Sequence, residues 1–171
     1  RQGRFQTDVA PGYELAGKTL GIIGLGKLGR LMARYGIALD MKVLAWSQNL
    51  TEEAAATAGV QWVDKDMLLA ESDVVSLHLV LSARTRGLIG AAELARLRPG
   101  ALLINTSRGP LVDEPSLIAA LETGRIQAAL DVYAHEPLPA DHPFRRLPNT
   151  VLTPHLGYGT VATFQDFYRQ S

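Results

Sequence analysis

The sequence predicts an α/β fold: a doubly wound, mostly parallel sheet with helices on both faces, a three-layer sandwich. Three observations carry that prediction. Short β-branched runs alternate along the chain with segments of helical period. The turn Gly24–Leu25–Gly26–Lys27–Leu28–Gly29 stands between the first such run and the first helical segment. Several of the runs are followed directly by polar, glycine- or proline-containing loops. Strands separated by helices need crossover connections, and crossovers fit parallel pairing with both faces covered.

Size and composition narrow the functional classes. The 171 residues are enough for one well-buried domain and too few for two of ordinary size. Lys plus Arg and Asp plus Glu number 17 each, and the basic residues are scattered, so nothing would draw in nucleic acid or an anionic membrane. With no cysteine there is no disulfide framework and no thiolate metal site, which fits a reducing compartment; a cytoplasmic location is the expectation. The four histidines lack a tight H-x-x-x-H spacing, so no metal site is expected. Apolar runs such as ALLI at 101–104 stop well short of a membrane span, and the first residues lack a signal-peptide core. The chain begins at Arg1 rather than Met, which reads as an internal starting point, by processing, proteolysis or design.

Residues 1–12 are polar, contain glycine and proline, and read as a peripheral connection. Lys18 to Ile23 is a strand. Leu28, Leu31, Met32, Tyr35 and Leu39 recur at helical spacing, and Met41 to Trp46 reads as a second strand. Thr51 before Glu52 and Glu53 is a capped helix start, with a stop near Gly59. Val60–Val63 is a short strand, Asp64 to Ala70 a brief helix, and Asp73–Leu79 a strand. A helix over Gly90–Leu97 closes at Pro99–Gly100, and Ala101–Ile104 reads as a strand buried on both faces. Asp113 to Leu121 makes a helix stopped by Gly124, and Ile126–Leu130 another strand. The proline-rich stretch from His135 to Asn149 is a loop. Thr150–Leu152 supplies a last strand, and Val161, Phe164, Phe167 and Tyr168 stripe a final helix.

The glycine turn has a physical reading. Gly24 permits the tight turn, Gly26 removes the side chain that would block a pyrophosphate, and Gly29 lets the helix pack close to the strand. Free N–H groups of the first helical turn then receive the phosphates. The strand–turn–helix context makes this a Rossmann-type dinucleotide site. Ser47 ends the second strand, where an acid would ordinarily accept from the adenine ribose. It adds no charge to repel a 2′-phosphate, and no Arg or Lys lies within 47–51 to attract one. NAD is the expected cofactor, with NADP possible. Trp46 reads as a packing residue.

In a doubly wound sheet, ligands sit beyond the carboxyl ends of the strands. Arg108, Glu136 and His155 each follow a predicted strand. Singly, Arg108 reads first as a surface arginine and Glu136 as a solvated loop carboxylate. Together they form a kit for hydride transfer. An arginine pairs bidentately with a carboxylate and polarises a neighbouring carbonyl. His155 can move the proton, and a carboxylate against its second nitrogen fixes the tautomer and favours the imidazolium. His78 lies in a strand-like run and reads as packed; His135 and His142 lie in the loop, where exposure is the default. There is no G-x-S-x-G elbow for a serine hydrolase.

The stretches ELAGKTLGIIGLGKLGR, SDVVSLHLVLSARTRGLIG, LRPGALLINTSRGPLVDE, AALDVYAHEPLP and NTVLTPHLG resemble, in order, the nucleotide-binding domain of the D-isomer-specific 2-hydroxyacid dehydrogenases, over roughly residues 13–160. The resemblance implies a substrate-binding role for Arg108 and a proton relay of Glu136 and His155. It implies that Asp131 contacts the nicotinamide carboxamide, that Gly26, Lys27 and Leu28 form the pyrophosphate turn, and that Thr106 lies beside the nicotinamide ribose; Gly157 joins the cofactor set. Glutamate before Pro137 resembles the general 2-hydroxyacid enzymes, whereas formate enzymes of the family carry glutamine. Ser47 departs from the common aspartate. The resemblance further implies a 2-ketoacid or 2-hydroxyacid substrate, a homodimer through this domain, and a second, substrate domain largely absent from this chain. Residues 161–171 then begin a C-terminal return helix, and the piece alone should bind cofactor but turn over poorly. The alternative is a binding or regulatory protein that senses NAD(H) on the same fold.

Overall fold

A computed structural model describes residues 12–169. The connection expected over residues 1–12 falls, but for Gly12, outside them, as do the last two residues of the expected return helix. Seven strands form one sheet: β1 (Thr19–Ile23), β2 (Lys42–Trp46), β3 (Gln61–Trp62), β4 (Val74–Leu77), β5 (Leu102–Asn105), β6 (Gln127–Leu130) and β7 (Thr150–Leu152). Every pair is parallel, in the order β3-β2-β1-β4-β5-β6-β7. The order reverses between β1 and β4, and that crevice is where such sheets bind ligands.

The helices are α1 (Lys27–Ala38), α2 (Glu52–Thr57), α3 (Lys65–Glu71), α4 (Ala91–Arg96), α5 (Glu114–Glu122) and α6 (Val161–Arg169). Their starts follow the sequence. Thr51, Asp64 and Asp113 each accept a hydrogen bond from a backbone N–H of the first turn of α2, α3 and α5. Glu93 accepts from the Gly90 amide at 3.1 Å and from Lys65 Nζ at 2.7 Å, tying α4 to α3.

Two apolar clusters sandwich the sheet. Ile22, Val43 and Ala45 pack with Ala33 of α1 and Ala55 of α2 on one face. Val75, Leu77 and Leu103 pack with Leu68, Leu94 and Leu117 of α3, α4 and α5 on the other. Fully burying one such side chain contributes about 1.5–3 kcal/mol.

Some expectations are revised. β3 and β4 are shorter than their apolar runs. β5 is not buried on both faces: Leu103 and Asn105 are buried, but Leu102 and Ile104 only half so. Their face turns toward the α1 side, where no described helix lies over β5. His142 is not a solvated loop histidine. Its side chain is 14% exposed, because the loop packs on the start of α5 and brings Nε2 to 3.2 Å from Glu114 Oε1. The loop itself holds a 3₁₀ turn, Pro143–Arg146, that buries Phe144. α6 buries none of its residues, and Val161, Phe164, Phe167 and Tyr168 are exposed. No helix among the described residues is long and apolar enough to cross a membrane.

Candidate active site

The turn from β1 into α1 is built as a cradle. Gly24 has φ +103°, and a Cβ there would lie 2.6 Å from the carbonyl oxygen of His78. A Cβ on Gly29 would collide with the carbonyl of Gly24, so this helix sits against its strand only with glycine. At Gly26 the situation is reversed: a Cβ would meet nothing within 4 Å. The backbone at Gly26 therefore borders open space at the N-terminus of a twelve-residue helix, which suits an anion. Lys27 opens that helix. Ser47 is half-buried just past β2, on the other side of β1 from β4.

Beyond the ends of β4, β5 and β6 lies a cleft of about 610 Å³. Leu28, Thr106, Arg108, Asp131, His155 and Gly157 line it. Residues 127 positions apart in sequence, Leu28 and His155, thus share one wall space. Glu136 stands behind His155, bordering a second cavity of about 510 Å³ with Tyr133, Leu138, Arg145 and Pro154.

His155 and Glu136 form a direct pair, Nδ1 to Oε2 at 2.7 Å, with both side chains a little over one-third exposed. The hydrogen bond from His155 holds the Glu136 carboxyl below its ordinary range, with help from the Tyr133 amide and the charge of Arg108. The other ring nitrogen, Nε2, is left for a ligand. His155 itself has φ +56°, a left-handed conformation unusual for a residue with a Cβ.

Asp131 accounts for that conformation. Its carboxylate, on a residue 5% exposed, accepts from the Thr153 hydroxyl, the Leu156 amide (2.9 Å) and the Gly157 amide (2.9 Å). Burial pushes its pKa up, but these donors outweigh it and the net displacement is downward. The spacing of residues gives no hint of this second engagement of Asp131 with the histidine turn.

The same ordered stretches recur in known proteins. Residues 1–157 match the model of the D-isomer specific 2-hydroxyacid dehydrogenase family, NAD binding domain. The chain belongs to that family. It is 45% identical over 150 residues to the glyoxylate reductase of Thermococcus litoralis, covering 87% of this chain and 45% of that protein. It is 41% identical over 161 residues to the D-3-phosphoglycerate dehydrogenase of Archaeoglobus fulgidus, covering 94% of this chain and 31% of that one. Among solved structures it superposes on a putative D-3-phosphoglycerate dehydrogenase oxidoreductase from Ralstonia solanacearum with a TM-score of 0.87 at 42% identity, covering 92% of this chain and 46% of that one. The chain thus spans less than half the length of these 2-hydroxyacid dehydrogenase relatives, and it coincides with the family's NAD binding portion.

Within this family domain, three residues that sequence reasoning passed over hold the loops in place. Asn105, buried at the end of β5, accepts from the Ser107 amide at 3.1 Å and donates to the Arg108 carbonyl at 2.9 Å. Gly109 lies against the backbone of Tyr133 and Ala134 so closely that any Cβ would clash, which sets the Arg108 loop beside the Glu136 loop. Tyr133 donates its amide to Glu136 Oε1 at 3.0 Å and its hydroxyl to the Thr153 carbonyl at 2.8 Å, joining the Glu136 and His155 segments. A polar residue closing an apolar strand, as in LLIN, was the available signal for Asn105.

Proposed function

We propose that this chain is the cofactor-binding part of an oxidoreductase that moves a hydride between NAD(P) and a D-2-hydroxyacid/2-ketoacid pair. The observation that carries the reading is the His155–Glu136 pair at 2.7 Å, set at the border of the cleft that Arg108 lines. When bound, the nicotinamide supplies or receives the hydride. Gly24, Gly26, Lys27, Leu28 and Gly29 would hold its diphosphate, Ser47 its adenine ribose, and Thr106, Asp131 and Gly157 its nicotinamide half. The open space at Gly26 and the free amides of α1 fit that group.

The residues of this chain do the rest. Arg108 grips the substrate carboxylate and draws charge from the neighbouring carbonyl. In reduction, His155 donates from Nε2 to the carbonyl oxygen; in oxidation it takes the hydroxyl proton. Glu136 keeps the proton on Nδ1 and stabilises the charged ring. A sensor of NAD(H) would use the cleft but would have no need of the relay pair. Ser47 favours NAD while leaving NADP admissible. The partners of this reading are a small 2-ketoacid or 2-hydroxyacid and a second copy of the parent protein.

The full-length parent, supplied with NADH or NADPH and a panel of 2-ketoacids, is expected to reduce at least one. His155→Ala should remove most of that rate, on the order of 10²–10⁴-fold, with NADH affinity nearly unchanged. Near-wild-type turnover by His155→Ala across pH 5–9 would refute the acid/base assignment.

A further inference from the structure

His78 belongs to none of the roles above, yet it lines the same cleft as Arg108 and His155. It sits one residue past the end of β4, at the point where strand order reverses. Its amide donates to the Ile23 carbonyl at 2.8 Å, and its own carbonyl oxygen lies where a Cβ on Gly24 would come within 2.6 Å of it. Its backbone is therefore bolted to the turn that forms the phosphate cradle.

Its ring is equally fixed. Nε2 lies 2.9 Å from the hydroxyl of Ser76, a residue 1% exposed and two positions earlier on the same face of β4. Nδ1 has no partner among the described residues, and it is not among their sealed, unpartnered buried atoms. A half-buried imidazole on the cleft wall thus holds one nitrogen on a buried anchor and has its other nitrogen without a partner among the described residues. Burial lowers its pKa below the ordinary histidine value, so the ring is neutral at pH 7 and can donate or accept.

We propose that His78 is a cofactor-binding residue that hydrogen-bonds a hydroxyl of the sugar joining the diphosphate to the nicotinamide, with Ser76 as its positioning residue. The proposal rests on the dinucleotide reading of the cleft. The diphosphate belongs at the Gly26 turn after β1, and the reacting carbon belongs between Arg108 after β5 and His155 after β7. β4 lies between β1 and β5, so the unit passing over its end is the one between diphosphate and ring, the ribose. A neutral donor–acceptor suits a sugar hydroxyl, and it places no fixed positive charge beside an oxidised nicotinamide.

Two cofactor fragments separate this role from a structural one. ADP-ribose retains the sugar in question and ADP lacks it. Titrating this chain with both, and with NADH, by calorimetry should show that His78→Leu weakens ADP-ribose and NADH by about three- to tenfold, the loss of one neutral hydrogen bond, with ADP within twofold of wild type. Ser76→Ala should show the same selectivity with a smaller loss, and His78→Gln should restore part of the affinity. If His78→Leu does not fold by circular dichroism, Ser76→Ala carries the test. Equal weakening of ADP and ADP-ribose, or unchanged ADP-ribose affinity, overturns the proposal. Failure of the wild-type chain to bind any of the three overturns the dinucleotide reading beneath it.

Discussion

Replacing Asp131 tests whether one buried carboxylate sets the geometry of the relay. Three donors converge on it: the Thr153 hydroxyl and the amides of Leu156 and Gly157. Hydrogen bonds to a charged acceptor are worth about 1.5–3 kcal/mol each. Part of that returns when the two amides, on exposed residues, hydrate in the variant, and holding His155 left-handed offsets about 1–2 kcal/mol more. The net expectation for Asp131→Ala is a loss of about 3 kcal/mol. For a chain of this size, that is a fall of roughly 6–12 °C in Tm. Asp131→Asn keeps one acceptor oxygen but turns an amide group toward a donor, so about half that loss is expected. The sign of the pH dependence follows from the lowered folded pKa of Asp131. Its contribution is fully present above the unfolded carboxyl pKa and is lost as pH falls through the lower folded value. Thermal unfolding of wild type and both variants from pH 7 to pH 3 should therefore show curves that converge on acidification. An Asp131→Ala Tm within 2 °C of wild type at pH 7, with unchanged exchange protection at the Leu156 and Gly157 amides, would refute the reasoning.

The glycine turn separates stability from binding: Gly26→Ala should leave Tm within about 2 °C of wild type yet weaken NADH binding at least tenfold, because its Cβ would enter the open space proposed for the phosphates. Gly29→Ala should lower Tm, because its Cβ meets the Gly24 carbonyl; a stable Gly29→Ala that binds NADH normally would contradict the packing. Glu136→Gln should cost no more than about 1 kcal/mol at pH 7, since the pair is more than a third exposed. With the Glu136 pKa lowered in the fold, that difference should shrink as pH falls through the folded value; a difference that widens on acidification would show that Glu136 is not the ionised partner. Ser47→Asp should raise the preference for NAD over NADP by at least tenfold, measured as a ratio of dissociation constants, and an unchanged ratio would place the ribose elsewhere.

The sheet was legible because its strands obey a local rule. Each of the largely apolar runs at 18–23, 41–46 and 126–130 is bounded by glycine or by a polar break, and each became a parallel strand. The cradle was legible for the same reason, since Gly24, Gly26 and Gly29 act within one turn. What periodicity does not encode is contact between distant loops. Nothing local in YAHEP says that Tyr133 reaches the carbonyl of Thr153 twenty positions on, or that Gly109 must meet Tyr133 backbone to backbone. His142 reads as a loop histidine because its partner, Glu114, is 28 residues away on another element. The half-exposed face of β5 escaped for a further reason: apolarity reports what a strand can bury, and ALLI is the same whether or not a helix lies above it.

These tertiary contacts explain how a site made of exposed groups keeps its shape. Arg108 and Glu136 are exposed and His155 is only half-buried, all on segments past the ends of strands, where few apolar contacts can fix them. Position comes instead from buried polar residues at or just past the same strand ends. Asn105 closes β5 and binds the Arg108 loop; Asp131 follows β6 and binds the His155 turn; Tyr133, two residues later, ties the Glu136 loop to Thr153. Each buried residue bonds the backbone of the loop it holds, and Asp131 and Tyr133 add bonds to the Thr153 hydroxyl and the Glu136 carboxylate. The division has a consequence for substitution. Changes at Asn105, Asp131 and Tyr133 should register first as lost stability, whereas changes at Arg108, Glu136 and His155 should leave the fold nearly intact and register in function. A site whose exposed residues were instead held by their own packing would show the two effects together.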